Sequence, residues 1–213
     1  MKRMVLVLML LATGTLVFAQ VYLPEHYFVS GRWGVSGQRL YQNDEKAGLA
    51  KVNIRVPQQG AMIYEFDVRY EGGAEDGHGG FGLHIFADTA YNEKSWGAGN
   101  SYLLWLNYDE NPLSRSIPAG LSAQIYRSRT NSIMDLVESF DLNFLDYLLT
   151  YENLSKPVPF KIIADGNTGE IRIYDPTLLD DTYYVVDMDR RDLPIRGNWV
   201  VLRTNGIRLS FSD

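Results

Sequence analysis

Apolar and polar residues alternate with a period of two along most of this 213-residue chain, and that restricts it to a β fold. The clearest run is 62–70, where Met62, Tyr64, Phe66, Val68 and Tyr70 alternate with Ile63, Glu65, Asp67 and Arg69. Successive side chains of a strand point to opposite faces, so this run reads as a half-buried strand. Similar runs occupy 38–42, 49–56, 80–88, 101–109, 121–127, 158–164, 170–175, 183–188, 198–204 and 206–212. About eleven short strands at this spacing predict an all-β fold, a two-sheet antiparallel β-sandwich of the jelly-roll kind.

Turn chemistry separates the runs. Asp165-Gly166-Asn167-Thr168-Gly169 reads as a hairpin turn, with Asp-Gly and Asn supplying the positive φ that such turns need, and Thr204-Asn205-Gly206 reads as another. One segment breaks the pattern. Ile133, Leu136, Val137, Phe140, Phe144, Tyr147 and Leu148 recur at helical spacing, behind a capping-box pattern at Ser132 and Asp135. An inserted amphipathic helix is expected around 132–149, or a broken pair with Asp141 capping the second piece, its apolar stripe laid on a sheet face.

Residues 1–19 have the form of a secretory signal peptide: Lys2 and Arg3, the apolar run Met4 to Leu11, then Val17-Phe18-Ala19 with small residues at −3 and −1. The apolar part is short against the ~20 residues that span a bilayer. The expected product is one β-sandwich domain over 20–213, with no membrane span after cleavage, periplasmic or secreted. The chain contains no cysteine, which excludes disulfides, thiolate metal sites and a cysteine nucleophile. A net charge of −6 argues against nucleic acid or an anionic membrane as the main partner.

The order of motifs resembles the concanavalin A-like lectin/glucanase superfamily, closest to its laminin-G-like and 3-keto-disaccharide-hydrolase-type jelly rolls. The matching stretches are Gly31-Arg32-Trp33-Gly34 leading into Gly37–Gln42, then Tyr64–Arg69, Gly80–Leu83 and Ser101–Leu104. Phe160–Gly166 running into Ile171–Tyr174 resembles the family's strand–turn–strand hairpin, and Gly206–Phe211 resembles its closing strand. The resemblance covers about Gly31 to the C-terminus, outside the helical segment. It implies a jelly roll whose ligand lies across a concave sheet, in a superfamily of sugar-binding modules, glycoside hydrolases and adhesive or structural domains.

Strand parity supplies the candidate site. With Phe81, Leu83 and Ile85 pointing inward, His84 and Phe86 point outward, and neighbouring strands add Leu103, Trp105 and Asn107, then Gln124 and Tyr126. A solvated face would carry Lys, Glu and Thr; aromatic platforms among amide and imidazole groups suit sugar rings, whose apolar faces are ringed by hydroxyls. Two readings stand open: a ligand groove, or a second core covered by the 132–149 helix. Trp96, on a loop, is a further candidate ligand anchor. No catalytic set is identified. Glu65, Asp67 and Glu71 share a face, but Arg69 stands where a second glutamate is needed, and Glu65 and Glu71 lie about 20 Å apart along a strand. His78 within Glu75–Gly80, and Asp109-Glu110-Asn111, read as loop and turn rather than metal sites. No cofactor is implied.

Three functions fit this reading. The first is an exported, non-catalytic β-sandwich of the bacterial cell envelope that binds a carbohydrate or an envelope protein partner. The second is a structural component of an extracytoplasmic assembly, such as a periplasmic flagellar filament sheath. The third is a glycoside-cleaving enzyme of the same superfamily.

Overall fold

A computed structural model describes residues 24–176 and 182–213; the signal-peptide reading of 1–19 lies outside them. In chain order the strands are His26–Ser30 (β1), Trp33–Ser36 (β2), Arg39–Gln42 (β3), Leu49–Gln58 (β4), Ala61–Gly73 (β5), His78–Ala87 (β6) and Ser101–Asp109 (β7). Then follow Gly120–Ser128 (β8), Met134–Asp141 (β9), Val158–Asp165 (β10), Glu170–Tyr174 (β11), Tyr183–Asp187 (β12), Gly197–Asn205 (β13) and Ile207–Ser212 (β14). They form two seven-stranded antiparallel sheets. The first runs β1-β4-β13-β6-β7-β8-β9 and the second β12-β11-β10-β5-β14-β3-β2. Each of the eleven runs of alternation is a strand here, and the additions are β1, β2 and β9.

The inward halves of the alternating pattern meet between the sheets. Val52, Leu83, Ile85, Tyr102, Leu104, Ile125 and Leu202 of the first sheet face Val68, Ile162, Ile171, Leu209 and Phe211 of the second. Phe81 packs edge-on against Phe160 across the gap, with ring centroids 5.3 Å apart, a geometry favoured by the ring quadrupoles.

The inserted helix does not form. Residues 134–141 are the edge strand β9, paired with β8; 143–148 are a 3-10 turn, and Tyr151–Leu154 a single α-helical turn (α1). Leu136, Phe140, Phe144 and Leu148 are spaced by four, which is close to a helical turn but is also an even number, so a strand puts neighbours at that spacing on one face too. A bulge where Tyr126 pairs with Leu136 and Ile125 with Glu138 breaks strict alternation and completes the helical disguise. Asp135 pairs with Arg129 instead of capping, while Asp141 accepts the Asn143 amide at the start of the 3-10 turn.

The hairpin at 165–169 also differs in its chemistry. Its positive φ falls on Gly169, at +86°. Gly166 is required for close approach: its amide donates to the Gly60 carbonyl, its carbonyl accepts from Ile195, and a Cβ there would stand 2.5 Å from the Ile195 oxygen. Gly206 takes its turn at +66°.

Candidate functional site

The outer face of the first sheet carries the site, and three cross-strand rows build it. One row reads Lys51, Arg203, Gly82, Trp105, Gln124 through β4, β13, β6, β7 and β8. The row beside it reads Asn53, Val201, His84, Leu103, Tyr126, and the row on the other side brings Gly80 beside Asn107 and Ser122. Five sequence-derived candidates, His84, Trp105, Asn107, Gln124 and Tyr126, therefore share one face.

Phe86 does not join them. A bulge in β6, opposite the step from Trp199 to Val201, reverses parity after Ile85, and Phe86 adopts φ +54°. Its ring lies in the core between the sheets, and its amide donates to Gln58 Oε1 over 2.8 Å. A bulge of this kind re-aims the next side chain. The covering helix is absent as well, yet the face is buried all the same: His84, Leu103, Trp105 and Gln124 keep under a tenth of their surface, and Ala87, Ala98 and Val201 make a small second core. The connection between β6 and β7, residues 88–100, folds over this face instead.

That loop is held by groups the strands present. Lys51 Nζ donates to the carbonyls of Gly97 (2.9 Å) and Ser95 (3.1 Å). Asn53 donates to the Tyr91 carbonyl, the Gly97 amide to the Asn131 carbonyl, and the Ala98 amide to Ser128 Oγ. Arg203 donates to the Trp96 carbonyl. Its guanidinium also lies between two indoles, 4.8 Å from the Trp96 ring centroid and 4.7 Å from that of Trp105. Arg203 is 1% exposed, Trp105 7% and Trp96 52%, so the stack ends in an indole open to solvent.

Gly80 and Gly82 make room for it. A Cβ at either would fall within 3 Å of the Trp105 indole, and one at Gly80 would meet Asn107 Oδ1 at 2.7 Å. Beside the stack, Tyr126 donates its hydroxyl to Gln124 Oε1 (2.6 Å), and Gln124 Nε2 donates to Ser122 Oγ (2.9 Å). His84 Nδ1 is 3.0 Å from Ser101 Oγ, and its Nε2 has no partner among the described residues.

The electrostatics are lopsided. Burial, then the Arg203 charge, pulls the Lys51 ammonium down to about 8; burial pulls Arg203 to about 9. Burial first, then the charges of Arg203 and Lys51, keeps His84 well below the usual histidine range. Sequence reasoning missed Lys51 and Arg203, because a basic residue on a strand reads as solvated. Parity with inward Val52 and Leu202 was the available signal.

The other candidates lie elsewhere. Glu65, Asp67, Arg69 and Glu71 sit on the outer face of the second sheet, where Arg69 pairs with Glu71 at 2.7 Å and Lys161 with Glu65 at 3.6 Å. His78 and Asp109 face each other at the ends of β6 and β7, with Nε2 and Oδ1 3.0 Å apart. Among the described residues, no group of three or more His, Asp or Glu gathers to hold a metal, and no helix is long and apolar enough to cross a membrane.

No protein-family model matches the chain, and no curated protein matches it. Solved structures do. A Bacillus subtilis protein of unknown function with a galectin-like fold shares 15% identity, over 89% of this chain and 87% of that one, at a TM-score of 0.56. The CBM2 module of the evolved Dit of Lactobacillus casei BL23 phage J-1 shares 12%, over 86% and 77%, at 0.54. The lectin of Bauhinia forficata, solved with GalNAc, shares 13%, over 92% and 94%, at 0.51. The fold is that of the concanavalin A-like jelly rolls, as the strand and turn order implied.

Proposed function

We propose that this protein is a non-catalytic glycan-binding β-sandwich, exported to the bacterial cell envelope, that receives a sugar on the outer face of its first sheet. The observation that carries the reading is the stack Trp96–Arg203–Trp105. A buried guanidinium holds this half-exposed indole from beneath, and that guanidinium is itself bonded to the Trp96 carbonyl and stacked on the buried Trp105 ring. A rigid aromatic surface binds a ring at little entropic cost. Tyr126 and Asn107 lie on the same face, are partly exposed, and supply polar groups that orient hydroxyls, with buried Gln124 fixing the Tyr126 hydroxyl from beneath.

The fold neighbours support this by analogy only, since one jelly roll serves many functions. Export rests on the leader-like residues 1–19. The reading is tested by tryptophan-fluorescence titration against soluble polysaccharides and peptidoglycan fragments. A saturable shift that disappears in Trp96→Ala is expected. A flat response across the panel would redirect the search to crosslinking in the native envelope, and to a structural protein partner.

A further inference from the structure

The inner faces of the two sheets do not close evenly. Ile85 and Tyr102 have no exposed surface, whereas Leu83 and Leu104, two residues along the same strands and equally inward, retain 8% and 6%. Phe66, Phe81 and Phe160 point inward and are only partly buried. The surface they keep faces a cavity of about 600 Å³ between the sheets, lined chiefly by leucine, phenylalanine, isoleucine and valine. The segment that crosses from β9 to β10 closes one end of it and turns Leu145, Leu148 and Leu149 toward the space. That cap is thinly seated: none of residues 143–148 or 151–154 is buried, and Phe144, Tyr147 and Tyr151 face solvent.

We propose that this cavity is a binding site for a single-chain fatty acid, with its hydrocarbon tail between the sheets and its carboxylate at Lys156. Water does not fill such a space well, because each molecule needs two to four polar partners that an apolar wall does not offer. A hydrocarbon chain restores the dispersion contacts that the inward side chains otherwise lack. The volume falls within the range of small-ligand pockets. Charge chooses the head group. Among the described residues, Lys156 and Asp175 are the charged residues of the lining. Asp175 is buried and accepts from the Tyr184 hydroxyl at 3.4 Å. Lys156 is solvent-facing, and among the described residues its ion-pair partner is Glu152, at the long distance of 4.0 Å. An incoming carboxylate therefore meets an available ammonium at the mouth. The thin cap is the natural way in.

The site lies on the opposite face of the first sheet from Trp96, so its test is independent of the glycan reading. The probe is cis-parinaric acid, titrated into the full chain after solvent delipidation, with palmitate and hexadecanol as competitors. One saturable equivalent, displaced by both, is expected. Ala123→Phe places a ring in the cavity from β8, and should lose probe binding while thermal unfolding stays cooperative. Lys156→Glu alters only the exposed mouth, and should weaken palmitate by roughly tenfold, with hexadecanol unchanged. No saturable binding by the wild-type chain, or full binding by a folded Ala123→Phe, would overturn the site. Equal effects of Lys156→Glu on acid and alcohol would overturn the head-group assignment.

Discussion

Lys51 and Arg203 stand directly opposite each other on β4 and β13, both buried, and among the described residues no carboxylate pairs with either. Two like charges side by side in the dry part of a protein are costly. They persist because both hold the 88–100 loop in place. Lys51 binds two of its carbonyls, and Arg203 binds the Trp96 carbonyl and two indole faces. The exposed Trp96 indole of the candidate site is therefore mounted on a costly pair of buried charges.

That cost sets the alkaline behaviour. Lys51 titrates near 8 in the fold and near 10.5 when unfolded. Between those values the unfolded chain holds a proton that the fold has released, so stability rises with pH, by up to about 1.4 kcal/mol per unit. Chemical denaturation at pH 7.5 and 9.5 should show the rise, and Lys51→Met should reduce it, leaving the part that Arg203, lowered by burial to about 9, adds near the upper end. An identical rise in the variant would place its origin elsewhere.

His84 gives the acid limb, with the same sign. Burial and the neighbouring charges keep it neutral in the fold, while the unfolded residue takes up a proton below about 6.5. Stability should fall as pH drops through that value. The urea midpoint of His84→Gln should lose less than that of the wild type between pH 7 and pH 5. Equal losses would contradict the assignment.

The two indoles should separate cleanly under mutation. Trp105 is buried beneath Arg203 and against Gly80 and Gly82, so Trp105→Ala should cost ~3–5 kcal/mol. Trp96 is half exposed, and Trp96→Ala should cost under about 1 kcal/mol. Thermal melts of both variants check this. Equal costs would mean that the outer indole is structural.

Gly166→Val should destabilise by roughly 2 kcal/mol or more. The damage comes from its new Cβ striking the Ile195 carbonyl and the Phe86 ring rather than from a forbidden φ. An unchanged melting temperature would contradict the close approach.

Most of the fold was legible because half-buried strands write their burial into alternate residues, and eleven strands do so plainly. β9 was not, since spacing by four fits helix and strand alike and the bulge near Val137 hid the alternation. On the outer face, parity correctly grouped His84, Trp105, Asn107, Gln124 and Tyr126. It failed for Phe86 one residue past a bulge, because parity holds only while the ladder is regular. Lys51 and Arg203 were hidden for another reason: the loop that buries them is brought over them by tertiary structure alone.

Trp96, mounted on Arg203, is the proposed sugar platform, and its loss is the most direct test. Isothermal titration of the full chain with the strongest ligand from the polysaccharide and peptidoglycan panel is run beside Trp96→Ala. Saturable binding by the wild type is expected, with its loss in a variant that melts at nearly the same temperature. Undiminished binding by that variant would contradict the platform.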